Sequence, residues 1–250
     1  VNLVGVVGPK KNHNTYKAFK DYVLDRKLNF IEYDSLKDET FLNTLRELEP
    51  DIAVVCSFNY KIPKVMLDIP KDGFVNVHPS LLPKYRGGNP YSAIIMNGEK
   101  ESGVTLHLMD EGFDTGDILL QKSFKINANE TMGTLFNKTN FMGMDMLVEV
   151  LQNYELGILN RTKQPEGEFP VGNGISDEDL FIDFNKKPDE IERFVRALNP
   201  FLNASCMFRG IHVKVYWVET AYDFKSHNLP AGQIAKIENN KIFIACKGGY

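Results

Sequence analysis

Before residue 80, four short and almost wholly apolar runs, Leu3–Val7, Phe30–Tyr33, Ile52–Ser57 and Phe74–Val77, alternate with stretches of helical spacing. Between the first two runs lies Tyr16–Leu28, with Ala18, Phe19, Tyr22 and Val23 on one helical face; Phe41–Leu48, closed by Pro50, separates the next two. Strands that are apolar on both faces suit a parallel sheet covered by helices on both sides. Strand-helix alternation predicts right-handed crossovers and a doubly wound, mostly parallel α/β sheet. Such sheets bind ligands beyond the C-terminal ends of their strands. Ser57–Lys61 and His78–Arg86 both fall at such ends.

Further along, Leu135, Phe136, Met146, Leu147, Val150 and Leu151 predict one helix over Thr131–Leu151, with Gly157 just past its end. The stretch Thr162–Ser176 is rich in Pro and Gly and has no period, which places the domain boundary there: residues 1–165 before it and 175–250 after it. Pro188, Asp189 and Glu190 suit the first turn of a second helix, whose apolar face is Ile191, Phe194, Val195 and Leu198. Strand patterns follow at His212–Val218, Gly232–Ile237 and Lys241–Ala245, and Asn239–Asn240 reads as a hairpin turn. The second part is therefore a small α+β or barrel-like domain.

With 43% hydrophobic and 25% charged residues, the composition is that of a globular protein. No apolar run approaches the roughly 20 residues a membrane-spanning helix needs, and Val1–Gly8 lacks the basic leader and cleavage site of a signal peptide. Cys56, Cys206 and Cys246 are odd in number and far apart, as expected of buried thiols in a reducing compartment, and no ligand spacing indicates a metal. A cytoplasmic protein without a membrane partner is expected. The net charge of −4 and a pI of about 5.8 weigh against a polyanionic partner, so no nucleic acid is expected. A homodimer is the candidate assembly.

Two stretches carry chemistry. In the first, Asn76 and His78 stand two apart at a strand end, so their side chains share a face. On spacing alone, a turn-capping Asn76 and a satisfied core His78 is the more frequent arrangement. The second, Gly103–Asp117, joins an alternating strand (Val104, Leu106 and Leu108 against Thr105, His107 and Met109) to an acidic, glycine-rich loop holding Asp114. An amide donor, an imidazole base and a carboxylate to orient it suit acyl transfer. Asp110 and Asp117 read as turn formers.

Asn76-Val-His78, Ser80-Leu-Leu-Pro83, Arg86-Gly87 and Asp114-Thr-Gly116 together resemble the signature of the formyltransferase family. That family includes methionyl-tRNA formyltransferase, glycinamide ribonucleotide transformylase and nucleotide-sugar N-formyltransferases. The resemblance covers almost the whole chain, more loosely in its last third. It implies a Rossmann-like catalytic domain, 10-formyltetrahydrofolate as formyl donor, and Asn76, His78 and Asp114 as the catalytic triad. It further implies a pterin gripped largely by backbone at Phe58, Asn59, Tyr60, Lys61 and Ile62 and at Met109, Asp110, Glu111, Gly112 and Phe113. In that scheme His78 accepts the amine proton, Asn76 donates to the oxyanion, and Asp114 fixes the histidine.

The acceptor implied is a nucleotide-linked amino sugar, in a role tied to lipopolysaccharide biosynthesis. The stretches Ser57-Phe-Asn-Tyr60, Ser80–Gly87 and Gly103-Val-Thr-Leu-His107 resemble that branch, and the Gly8–Thr15 loop is short where tRNA enzymes carry a long basic one. Lys84, Tyr85, Arg86 and Tyr91 are candidates for the sugar and its phosphates, against a solvated loop with one salt bridge. Methionyl-tRNA is the second reading, a catalytically dead folate-binding relative another, and glycinamide ribonucleotide ranks behind methionyl-tRNA. The family shows five strands through the Asn-x-His strand, and four are counted here. Val1–Val7 resembles the second of them, so it is expected to have a strand beside it in the intact protein, and Ile242–Tyr250 is expected to stop short of the last strands.

Overall fold

The computed structural model describes residues 1–58, 60–222 and 228–250. The apolar runs become strands and the periodic stretches helices: β1 (Val6–Val7), α1 (Tyr16–Asp25), β2 (Phe30–Ile31), α2 (Glu39–Glu47), β3 (Ala53–Val55), α3 (Lys64–Leu67), β4 (Phe74–His78), α4 (Pro90–Met96), β5 (Glu101–Leu108), β6 (Ile118–Lys125) and α5 (Met132–Glu155). After these come α6 (Pro188–Leu198), β7 (Ala204–Phe208), β8 (Ile211–Val215), β9 (Ile234–Glu238) and β10 (Lys241–Ile244). The chain packs as two compact units that are not consecutive in sequence. Val1–His78, Val104–Lys122 and Met142–Glu168 form one; Pro79–Gly103, Ser123–Phe141 and Phe169–Tyr250 form the other. The chain therefore crosses between the units four times before the boundary near residue 170.

In the first unit β1 and β2 pair in parallel, Val6 opposite Phe30, and β1 has no other strand partner among the described residues. The sheet that carries the chemistry is mixed. Its order is β3-β4-β5-β6, with β3 parallel to β4 and β4 antiparallel to β5. Alternation along β4 and β5 sends Val75, Val104 and Leu106 into a fully buried cluster with Met146 and Val150 of α5. Gly143 lets that helix approach closely, because a Cβ there would lie 2.6 Å from a Val77 methyl. The other face of the pleat is left to Asn76, His78, Thr105 and His107. Helix α2 starts at Asp38, whose carboxylate accepts the Phe41 N–H at 2.9 Å, and buries Phe41 and Leu42.

In the second unit α4 begins at Asn89 and Pro90 and packs on α6, where the Ser92 hydroxyl donates to the Ala197 carbonyl at 2.7 Å. Arg196 reaches back to the Glu130 carbonyl. Helix α6 buries Ile191, Val195 and Leu198. β7–β8 and β9–β10 are antiparallel hairpins, and Asn239 and Asn240 turn the second with φ of 50° and 58°. Two positive φ values in a two-residue turn are what an Asn pair tolerates. Cys246 is buried, but Cys56 is exposed, contrary to expectation, since it lies where β3 gives way to a turn. No helix of the described residues is long and apolar enough to cross a membrane.

Candidate active site

Asn76 and His78 project from one face of β4, and the antiparallel register sets His107 opposite Asn76 and Thr105 opposite His78. The third group arrives on the loop after β5. There the Asp110 carboxylate accepts from the Gly112 N–H at 2.9 Å and the Thr115 hydroxyl at 2.5 Å, so Asp110 acts as a turn former. Asp114 takes a left-handed φ of 54°. At Gly116 a Cβ would lie 1.9 Å from the Leu108 carbonyl oxygen, so only glycine lets the loop close on the strand. Gln164 pins it from outside, donating to the carbonyls of Asp114 and Gly116 at 2.8 Å each.

This folds the Asp114 side chain onto the β4–β5 face. Its Oδ1 accepts from Asn76 Nδ2 at 3.1 Å, and its Oδ2 lies 3.5 Å from His78 Nδ1. His78 is 4% exposed and the Asp114 side chain 14%, so the pair works largely shielded from water. With Nδ1 toward the carboxylate, His78 presents Nε2 on the far edge of its ring, the arrangement of an oriented general base. The structure thus brings together the three residues expected to be catalytic.

A further side chain packs against them. His107, 1% exposed, has Nδ1 2.7 Å from the Leu108 carbonyl oxygen. A carbonyl only accepts, so Nδ1 carries the hydrogen and the Nε2 lone pair accepts from Asn76 Nδ2 at 3.2 Å. The same Nε2 lies 3.4 Å from Asp114 Oδ1. Period-two alternation put His107 on a strand in the sequence, but nothing local said which strand residue it would face.

The two segments expected to hold the donor meet at their rims. Lys61 places its ammonium 5.2 Å from the Phe113 ring, and Lys10 lies 4.9 Å from the Tyr60 ring. Tyr60 and Phe113 are exposed while Ile62 is buried, and the Phe58 ring contacts Tyr60 edge-on at 5.6 Å. Met109 packs on the neighbouring core, Glu111 is 3.9 Å from Lys64, and Asn59 lies outside the described residues.

The candidates for phosphate and sugar all lie in the second unit. Lys84 is exposed and sits 3.7 Å from Glu99. Tyr85 is not available to a ligand: its side chain is 3% exposed, its hydroxyl donates to Glu99 at 2.8 Å, and it accepts from Asn97 at 3.1 Å. Burial pushes its phenol up to about 12, with the Glu99 hydrogen bond adding and the Asn97 hydrogen bond opposing. A left-handed backbone at Tyr85 (φ 61°) turns the ring inward, which alternation along the loop did not reveal. Arg86 is half-buried and its backbone bridges to Val171; Tyr91 packs against Phe136 with ring centroids 5.6 Å apart.

Residues 2–151 match the formyl transferase family and residues 174–250 its C-terminal domain. The chain is 34% identical over 238 residues to a methionyl-tRNA formyltransferase of Lachnospira eligens, spanning 94% of this chain and 76% of that one. Among solved structures, an N-formyltransferase from Helicobacter canadensis, in complex with folinic acid and dTDP-3-aminofucose, superposes with a TM-score of 0.65 at 22% identity, over 100% of this chain and 97% of that one. HypX from Aquifex aeolicus, in complex with tetrahydrofolic acid, gives 0.67 at 19% identity, over 98% of this chain and 42% of that one. The chain belongs to the formyl transferase family, whose members are one-carbon transfer enzymes.

Proposed function

We propose that this formyltransferase moves a formyl group from 10-formyltetrahydrofolate to the primary amine of a nucleotide-linked amino sugar. The observation that carries the transfer is the buried set on one sheet face, with Asp114 placed 3.1 Å from Asn76 Nδ2 and 3.5 Å from His78 Nδ1. The donor supplies an activated formyl carbon. His78 Nε2 takes the proton that the attacking amine must lose, and Asp114 holds the ring with Nδ1 protonated, stabilises the imidazolium and helps return the proton to N10 of the folate as the bond between N10 and the formyl carbon breaks and tetrahydrofolate leaves. Asn76 is the amide donor for charge developing on the formyl oxygen. Both its N–H groups are engaged at rest, one on the Asp114 carboxylate and one on His107. The hydrogen on His107 is the one the formyl oxygen would share, because a neutral imidazole is the weaker acceptor of the two.

The residues fit the donor. Tyr60 and Phe113 offer exposed aromatic faces, and Lys10 and Lys61 stand over them, a combination suited to a ligand with fused and benzoyl rings and terminal carboxylates. A folate bound to the Helicobacter and Aquifex structures supports this reading.

For the acceptor, the short Gly8–Thr15 loop and the net charge of −4 favour a nucleotide sugar. The second reading is methionyl-tRNA, favoured by 34% identity to an enzyme named for that activity. Incubation with 10-formyltetrahydrofolate and either a panel of TDP- and UDP-linked amino sugars or charged initiator tRNA separates the two. Formyl-sugar products are expected. Formylation of the tRNA with none of the sugars overturns the sugar reading, and formylation of neither overturns both.

A further inference from the structure

His107 is more than a filler of the β4–β5 face. Its Nδ1 hydrogen is committed to the Leu108 carbonyl at 2.7 Å, which leaves Nε2 as an acceptor in the neutral ring. That acceptor takes an Asn76 amide hydrogen at 3.2 Å. A protonated ring carries hydrogen on both nitrogens. It would then meet the amide donor-to-donor and turn to the nearest acceptor, Asp114 Oδ1 at 3.4 Å. The same carboxylate orients His78 through its other oxygen, at 3.5 Å. One buried carboxylate thus serves two imidazoles whose ring centroids are 6.3 Å apart.

We infer that His107 is a positioning residue for formyl transfer, and that the Asn76–His78–Asp114 set holds its working arrangement only while His107 keeps its hydrogen on Nδ1 and offers Nε2 as an acceptor to Asn76. This rests on the formyl transfer proposed above. The ionisable groups facing His107 are Asp114 from the loop and His78 from β4; its other neighbour on that face, Asn76, is uncharged.

His107→Gln keeps an acceptor toward Asn76. It is expected to retain turnover within about tenfold. His107→Leu leaves a buried amide hydrogen unpaired and should lower kcat by about tenfold or more, with donor KM unchanged. Thermal unfolding checks that each variant folds. Nitrogen-15 spectra of the resting wild type are expected to show the His107 hydrogen on Nδ1. Wild-type kcat in His107→Leu, a loss in His107→Gln as large as that in His107→Leu, or an Nε2–H tautomer of His107 overturns the inference. The spectrum needs no substrate, so a failure to formylate any amine defeats the proposed function and leaves this measurement standing.

Discussion

At the residue scale, His78 and Tyr85 were both expected to meet substrate, and their surroundings separate them. His78 faces a carboxylate with the Nδ1 edge of its ring. Replacing it by Ala is expected to lower kcat by about 10²–10⁴, the range for a lost general base, while a titration with tetrahydrofolate shows binding preserved. Near-wild-type turnover in His78→Ala would remove the mechanism. Tyr85 is a core residue whose hydroxyl is hydrogen-bonded to Glu99 and Asn97. Tyr85→Phe should cost about 1–2 kcal/mol in urea unfolding and leave acceptor KM unchanged; a raised KM would return the phenol to the binding site. Its folded value of about 12 exceeds the ordinary 10.0. That contribution to stability is complete below pH 10.0 and is lost as pH rises toward about 12, because the unfolded chain ionises first. The substitution should therefore shallow the alkaline fall in stability over that window.

At the element scale, the site depends on how β4, β5 and the loop after β5 are held together. A slip of one residue between the strands would send Asn76 and His78 into the apolar cluster beneath them. The loop is held by the Asp110 turn, by Gln164 and by the close passage of Gly116 over the Leu108 carbonyl. That carbonyl is backbone and cannot move aside. Gly116→Ala should therefore displace Asp114 and reduce kcat by about 10² or more, the effect of roughly an ångström's misplacement. Far-UV circular dichroism should not change. An active Gly116→Ala enzyme would mean that the loop has room the geometry denies it.

At the scale of the whole molecule, the sequence boundary and the packing boundary differ. Stretches 79–103 and 123–141 pack with the C-terminal part, since Ser92, Ile94 and Ile95 of α4 are buried and α4 lies against α6. A fragment ending at Glu168 would leave that face of α4 uncovered. It is expected to bind a hydrophobic dye and to melt below the full chain. Equal melting temperatures and no dye binding would show that residues 1–168 form a self-sufficient body.

The sequence by itself determined the alternation of strands and helices, the strand end that carries Asn76 and His78, and the turn chemistry of Asp110 and Asn239–Asn240. Those features are written in local period and in the φ preferences of single residues, so short windows reveal them. Tertiary structure alone decided that His107 would meet Asn76 from 31 residues away, that Asp114 would fold back onto both, and that Tyr85 would turn inward. Register between strands, the sign of φ at an individual loop residue and the side of a loop that gets buried are set by the competition of all contacts for one packed interior. No short stretch of sequence encodes that competition.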